Sequence, residues 1–214
     1  MKSKNYVYMT ETFASHEQLI KEFVFNELNP SYDERQIVTR KETYYDTESK
    51  EFLLNGGFLR YVEVTREDYS QKYYYEFKKN DEDKPIKIPF ANGSPNLKYV
   101  EKLCRLEMPL IQQFKIVSDS FIYPITSHYG EEFPGKFKLV IDEVKLCSVY
   151  YTSRDERMRF AIFKDYTSPY KKSRSAQTVE RILALENGFE KVDDNRYKAI
   201  SDKIRRGFKP IHYR

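Results

Sequence analysis

The sequence predicts an α+β protein dominated by antiparallel β-strands, with helices packed outside them. Nineteen Tyr and fifteen Phe stand among Val, Ile and Thr in short alternating runs, the composition of strands whose two faces meet different surroundings. Turn-like polar stretches separate these runs, which is the spacing of a meander. Helical periodicity is concentrated after the first strand and in the C-terminal quarter.

The first predicted strand is Asn5–Phe13 (NYVYMTETF). At Ser15–Asn29, Ser15 is placed to cap a helix whose Leu19, Ile20, Phe23 and Val24 recur at helical spacing, and Asn29-Pro30 ends it. Strands follow at Gln36–Asp46, at Phe58–Thr65 after Asn55-Gly56-Gly57, and at Lys72–Lys79. Asn80–Asn96, rich in Asp, Lys, Pro and Asn, is expected as a surface loop. Beyond it the pattern predicts a strand at Lys102–Met108, a helix from near Pro109, and strands at Phe121–His128, Lys136–Lys145 and Arg157–Lys164. Ser175–Glu186 carries Val179, Ile182, Leu183 and Leu185 on a helix with Gly188 just past its end, and Asp194–Arg206 reads as a second helix.

At 214 residues the chain suits a single domain, 1–170 supplying strands and outer helices and 171–214 a helical C-terminal segment. A net charge of +4 is too mild to mark a nucleic-acid or membrane binder by its field alone. With seven Gly and no G-x-G or G-x-x-x-x-G-K, any phosphate has to be held by side chains and not by a glycine loop. Cys104 and Cys147 form no C-x-x-C, and no apolar run exceeds four residues. A cytoplasmic protein with no membrane partner is therefore expected. His16, His128 and His212 are scattered, which gives zinc chemistry no foothold.

Polar residues on alternating strand positions suggest a barrel or strongly curved sheet with a partly hydrophilic interior. Period two groups Arg60 with Val62 and Val64, Tyr74 with Glu76 and Lys78, Arg105 with Glu107, and Lys138 with Val140 and Asp142. In the last strand it groups Arg157, Arg159, Ala161 and Phe163, and a slip of one residue there would exchange the faces. If these faces converge, six cations (Arg60, Lys78, Arg105, Lys138, Arg157 and Arg159) meet three acids (Glu76, Glu107 and Asp142). The bland reading of the same residues is a solvated sheet face. For Tyr73–Tyr75 and Tyr150–Tyr151, packing competes with stacking on a nucleobase, and the basic run 168–174 reads first as a solvated loop.

In this order and spacing, ETYYDTESKEFLLNGGFLR, EFKK, CRLEMP and LVIDEV resemble the CYTH superfamily of triphosphate tunnel proteins, which includes thiamine triphosphatases, class IV adenylate cyclases and inorganic triphosphatases. The closing NGFEKVDDNRYKAI is similar to that family's ending, so the resemblance spans nearly the whole chain. It implies an eight-stranded antiparallel tunnel that holds a triphosphate with inward Lys and Arg while carboxylates bind Mg²⁺ or Mn²⁺. By resemblance, Arg60 corresponds to the first Arg of L-R-x-R, Lys78 to the lysine of T-x-K, Arg105 and Glu107 to R-x-E-x-E, and Asp142 to the acid before Glu-Val.

Departures from the family pattern are as informative. The second Arg of L-R-x-R is Val62 and the second Glu of R-x-E-x-E is Pro109. The opening E-x-E-x-K is absent from YVYMTETF, where Glu11 is the surviving carboxylate, and the closing E-x-E falls on Ala161 and Phe163. A Mg²⁺ site that loses most of its carboxylates keeps only phosphate and water as ligands. The expectation is thus binding of a nucleotide, triphosphate or polyphosphate in a basic tunnel, with weak or absent metal-dependent catalysis and no assigned catalytic residue. The alternatives are an active triphosphatase or related phosphoryl-transfer enzyme with Mg²⁺ or Mn²⁺ at Glu76, Glu107 and Asp142, or a scaffold that binds a protein or nucleic-acid partner.

Overall fold

A computed structural model describes residues 4–11, 15–80, 84–90, 96–103, 105–106, 108–128, 131–132, 136–150, 152–167, 173–192 and 195–207. In chain order the elements are β1 (Lys4–Thr10), α1 (His16–Phe25), β2 (Leu28–Pro30), β3 (Gln36–Asp46), α2 (Glu51–Leu54), β4 (Phe58–Arg66), β5 (Gln71–Lys78), β6 (Ile86–Phe90), α3 (Leu97–Leu103), β7 (Ile111–His128), β8 (Glu131–Glu132), β9 (Phe137–Val149), β10 (Thr152–Asp165), α4 (Arg174–Glu180), which continues into a π-helical turn at Arg181–Glu186, β11 (Glu190–Lys191) and α5 (Arg196–Arg206).

All strand pairs are antiparallel, in the order β11-β1-β10-β9-β7-β3-β4-β5-β6, with β2 and β8 pairing with the far end of β7. Among the described residues the antiparallel sheet has eleven strands, against the eight expected of the tunnel, and is open between β6 and β11. Two of the extra strands are the short pieces on β7, and a third is β6, inside the stretch 80–96 expected as a loop. Its Pro85 and Pro89 hid it, yet proline is tolerated on an edge strand because no partner needs its missing N–H.

The segment around 102–110 departs furthest from expectation. Leu103 ends helix α3, Arg105 occupies a turn with φ 52°, and Cys104 and Glu107 lie outside the described residues; among the described residues between 102 and 108 there is no strand. Among the described residues no helix starts near Pro109 either. Ile111 opens the 18-residue β7, which takes in the strand expected at 121–128. β7 is flanked by β3 and β9, and its buried parity changes along its length, from Phe114, Ile116, Ser118 and Ser120 to Tyr123 and Ile125, so no single period-two pattern runs through the strand.

Other elements follow the local chemistry. Ser15 accepts from the Gln18 amide while the Gln18 side chain accepts from the Ser15 amide, a capping box that starts α1. Asp46 is fully buried at the end of β3 and accepts from the backbone N–H of Phe52 and Leu53, each at 3.0 Å, which fixes the first turn of α2. After α2 the chain turns at Gly56 (φ 70°), and a side chain on Gly57 would place its Cβ 2.3 Å from the Lys79 carbonyl.

The two sheet faces are covered differently. On the outer face Tyr6, Tyr8, Ile141, Ala161 and Phe163 pack under α1 and α4 with Phe23, Ile20 and Val179. Each fully buried aromatic there stabilises the layer by roughly 1.5–3 kcal/mol. On the inner face α5 closes one end: Tyr197 stacks on Tyr44 at 5.4 Å and Asn195 donates to the Gly56 carbonyl at 2.9 Å. Beyond α5 the inner face sets charged residues among apolar ones.

Candidate functional site

The inner face encloses a cavity of about 540 Å³, within the usual range for small-molecule sites. Every long strand reaches it: Val7 from β1, Arg40, Glu42 and Tyr44 from β3, Phe58 and Arg60 from β4, Tyr74, Glu76 and Lys78 from β5, Lys87 from β6, Ile122 from β7, Val140 and Asp142 from β9, and Phe160, Ile162 and Lys164 from β10. Lys84 and the start of α5 complete the wall, which carries seven cations (Arg40, Arg60, Lys78, Lys84, Lys87, Lys164 and Arg196) against three carboxylates (Glu42, Glu76 and Asp142).

Those carboxylates are held by two guanidiniums. Arg60 donates through Nε to Glu76 at 2.8 Å and through Nη1 to Glu42 at 2.6 Å. Arg196, projecting from the first turn of α5, donates to the other oxygen of Glu42 at 2.9 Å and also pairs with Asp142. Tyr44 donates its hydroxyl to Glu42 at 2.7 Å. Glu42 is 1 % exposed; burial alone would raise its pKa, but Arg60 and Arg196 outweigh it and hold the carboxyl at about 2. For Arg60 the opposing effect of burial is overcome by Glu42, Tyr44 and Glu76, which push its pKa further up.

The opposite wall has the reverse imbalance. Lys164 and Lys138 are direct partners in the β9–β10 ladder, and Arg40 approaches from β3 with its guanidinium on the Ser120 hydroxyl. Among the described residues none of these three cations forms an ion pair. Burial, reinforced by Arg40 and Lys138, lowers the pKa of Lys164. A partly buried cation cluster of this kind is stabilised by an anion.

Of the residues expected to bind phosphate, Arg60 and Lys78 line the cavity, and Lys138 shares their face beside Lys164. Arg105 is exposed in its turn. Arg157 and Arg159 face outward, because β10 sits one residue out of the expected register and presents Phe160, Ile162 and Lys164 to the cavity. Outside, Arg159 donates to Glu143 at 2.8 Å, and that carboxylate is 3.8 Å from His16. Ala161 and Phe163 belong to the outer core. Val62 and Val64 do face inward, but with Val38 they form a band on one wall and leave the cavity open.

Sequence reasoning missed Arg40, Glu42, Lys84, Lys87, Lys164 and Arg196. Arg40, Glu42 and Tyr44 alternate in RKETYYD, so the signal for the first two was the period of a strand already recognised. Lys164 required the correct register of β10. Arg196 sits on a helix, where no strand periodicity could reveal it.

For a divalent cation the expected ligands were Glu76, Glu107 and Asp142. Glu107 lies outside the described residues, Glu76 and Asp142 are engaged by Arg60 and Arg196, and among the described residues no three His, Cys, Asp or Glu converge to hold a metal. The described carboxylates therefore do not fit a Mg²⁺ or Mn²⁺ centre.

The open antiparallel sheet curved around a basic cavity is a fold shared with a solved structure. The structure of the PH1819 protein from Pyrococcus horikoshii OT3 is similar over 93 % of this chain and 99 % of its own, with 15 % identity and a TM-score of 0.51. Two further solved structures cover most of this chain: a Vibrio parahaemolyticus protein provisionally named adenylate cyclase (13 % identity, 93 % of this chain and 97 % of that one, TM-score 0.47), and HpAC1 from Hippeastrum, described as having a dominant triphosphatase activity (10 % identity, 94 % and 96 %, TM-score 0.46). The sequence matches no family model and no curated protein. No helix among the described residues is long and apolar enough to cross a membrane.

Proposed function

We propose that the protein binds a phosphate-rich ligand in this cavity, with weak or absent metal-dependent catalysis. One observation carries the reading: Arg40, Lys138 and Lys164 gather on one wall without an ion-paired acid among the described residues, while the acids opposite are already engaged by Arg60 and Arg196. Each charge-assisted contact from such a cation to a phosphate oxygen contributes about 1.5–3 kcal/mol. Three or four offset the ordering cost of a small ligand. Catalysis is weak on this reading because Glu42, Glu76 and Asp142 cannot ligate a metal without releasing a buried arginine.

Isothermal titration with tripolyphosphate and nucleoside triphosphates tests the binding. Micromolar or tighter affinity that falls with salt is expected. No binding by any probe, or binding unchanged in Arg40→Gln/Lys164→Gln, would reject the proposal. Phosphate release with Mg²⁺ or Mn²⁺ that is abolished by Glu107→Gln would instead favour an active triphosphatase.

A further inference from the structure

Tyr197 acts as a partition. Among the described residues it alone lines both the basic cavity and a separate pocket of about 360 Å³, set between α2, the start of β7 and α5. That volume lies within the usual range for a small-molecule site. Leu53, Leu54, Phe114, Tyr150 and Ile204 make its walls largely apolar. Leu54 and Tyr150 are 79 % and 45 % exposed, so the apolar surface continues from the pocket out to solvent.

One polar group in this lining is unused. Gln113 is 3 % exposed, yet among the described residues its Nε2 has no hydrogen-bond partner. The strand itself puts it there. Between β3 and β7, Tyr44 lies opposite Phe114 and Tyr45 opposite Gln112, so Gln113 is the extra residue of a β-bulge. The bulge brings Gln113 and Phe114, neighbours in sequence, to the same pocket, while Gln112 bonds to Ser148 outside it. The Tyr150 amide donates to the Gln113 carbonyl at 2.9 Å and holds that geometry. The Tyr197 hydroxyl is already given to Asp46 at 2.8 Å. A buried donor without an acceptor is destabilising, and a leucine would fill the same space without that cost. An acceptor that arrives with a ligand accounts for the amide.

The charges of the lining stand at its rim. Lys50 and Arg205 are exposed, Lys50 with its Nζ 5.5 Å from the centre of the Tyr150 ring and Arg205 donating to Asp202 at 3.2 Å. A carboxylate buried at Gln113 would lose its water without gaining a buried cation, whereas a neutral carbonyl oxygen needs only the N–H. We propose that this pocket is a second binding site, for an uncharged apolar molecule with a carbonyl oxygen, of the ketone, ester or amide class. The carbonyl accepts from Gln113 Nε2 and the apolar body packs on Leu53, Phe114 and Tyr150. This site is independent of phosphate binding in the basic cavity.

The test uses benzophenone, diphenylmethane and diphenylacetate, which share two rings and differ in carrying a carbonyl, no oxygen or a carboxylate. Each is titrated into the full chain, labelled with nitrogen-15, while NMR follows the side-chain amide of Gln113. Benzophenone should shift that resonance and bind about tenfold more tightly than diphenylmethane, the difference one neutral hydrogen bond makes. Diphenylacetate should bind more weakly than benzophenone. Gln113→Leu should bind benzophenone and diphenylmethane alike, and Leu53→Trp, which fills the pocket, should bind neither. No benzophenone binding up to its solubility limit overturns the proposal, as does an unmoved Gln113 resonance or a carbonyl preference that survives Gln113→Leu. Diphenylacetate binding as tightly as benzophenone overturns it too. Should Gln113→Leu fail to fold, Leu53→Trp decides: benzophenone affinity equal to wild type places the probe elsewhere and rejects the site.

Discussion

Lys138 and Lys164 face each other across the β9–β10 ladder, two cations in register on the inner wall, with Arg40 approaching from β3. Like charges directly opposite on a sheet destabilise it by roughly 0.2–1 kcal/mol. Lys164→Met should therefore raise the urea midpoint of the free protein while weakening tripolyphosphate binding about tenfold or more. A variant that loses both stability and affinity would show that Lys164 has a structural role.

The same cluster links binding to protons. The folded pKa of Lys164 lies below its ordinary 10.5, owing first to burial and then to Arg40 and Lys138. Protonated Lys164 disfavours the folded state, so free-protein stability rises as pH climbs from the folded value towards 10.5. A bound polyanion has the opposite effect and raises the pKa. In that alkaline window, titrations in buffers of different ionisation enthalpy should show net proton uptake on tripolyphosphate binding, with affinity falling as pH increases. Buffer-independent heats would count against an anion at Lys164.

Glu42 governs the acid side. Its pKa of about 2 lies below the ordinary 4.5, so its contribution is fully present above 4.5 and is lost as pH falls through about 2. The shift corresponds to roughly 3 kcal/mol of pH-dependent stability. Urea unfolding of Glu42→Gln should show a flatter decline over that window than the wild type. An unchanged slope would mean that other carboxylates dominate acid unfolding.

Arg196 tests how firmly α5 is tied to the sheet. Removing one partner of a buried ion pair costs about 3–5 kcal/mol because the stranded charge remains, and Arg196→Met strands Asp142 while leaving Glu42 to Arg60. A loss of that size in urea unfolding is expected, and it should shrink at low pH as the carboxyls protonate. A loss below about 1 kcal/mol would show that water readily replaces the guanidinium.

Much of the fold was legible because local signals agreed with it: the Ser15 capping box, the Gly56-Gly57 turn, and the alternation in β3, β4 and β5. The segment around α3 and the start of β7 was not, since the buried parity of β7 changes near Ile122 and no single alternation runs through the strand. At the site, Arg60 and Lys78 were found from strand parity. A one-residue error in β10 exchanged Arg157 and Arg159 for Lys164, which shows how a register slip moves every side chain to the other face. Arg196 could be recognised only once the chain had folded back on itself.

The most direct test removes the same amount of charge from inside and from outside. Tripolyphosphate affinity should be measured by isothermal titration for the wild type, for the inner double variant Arg40→Gln/Lys164→Gln, and for the outer double variant Arg105→Gln/Arg157→Gln. With each lost phosphate contact costing about 1.5–3 kcal/mol, the inner variant should bind about a hundredfold more weakly or worse, and the outer one within about threefold of wild type. Equal losses in the two variants would mean that the ligand responds only to overall charge, and would contradict a ligand seated in the cavity.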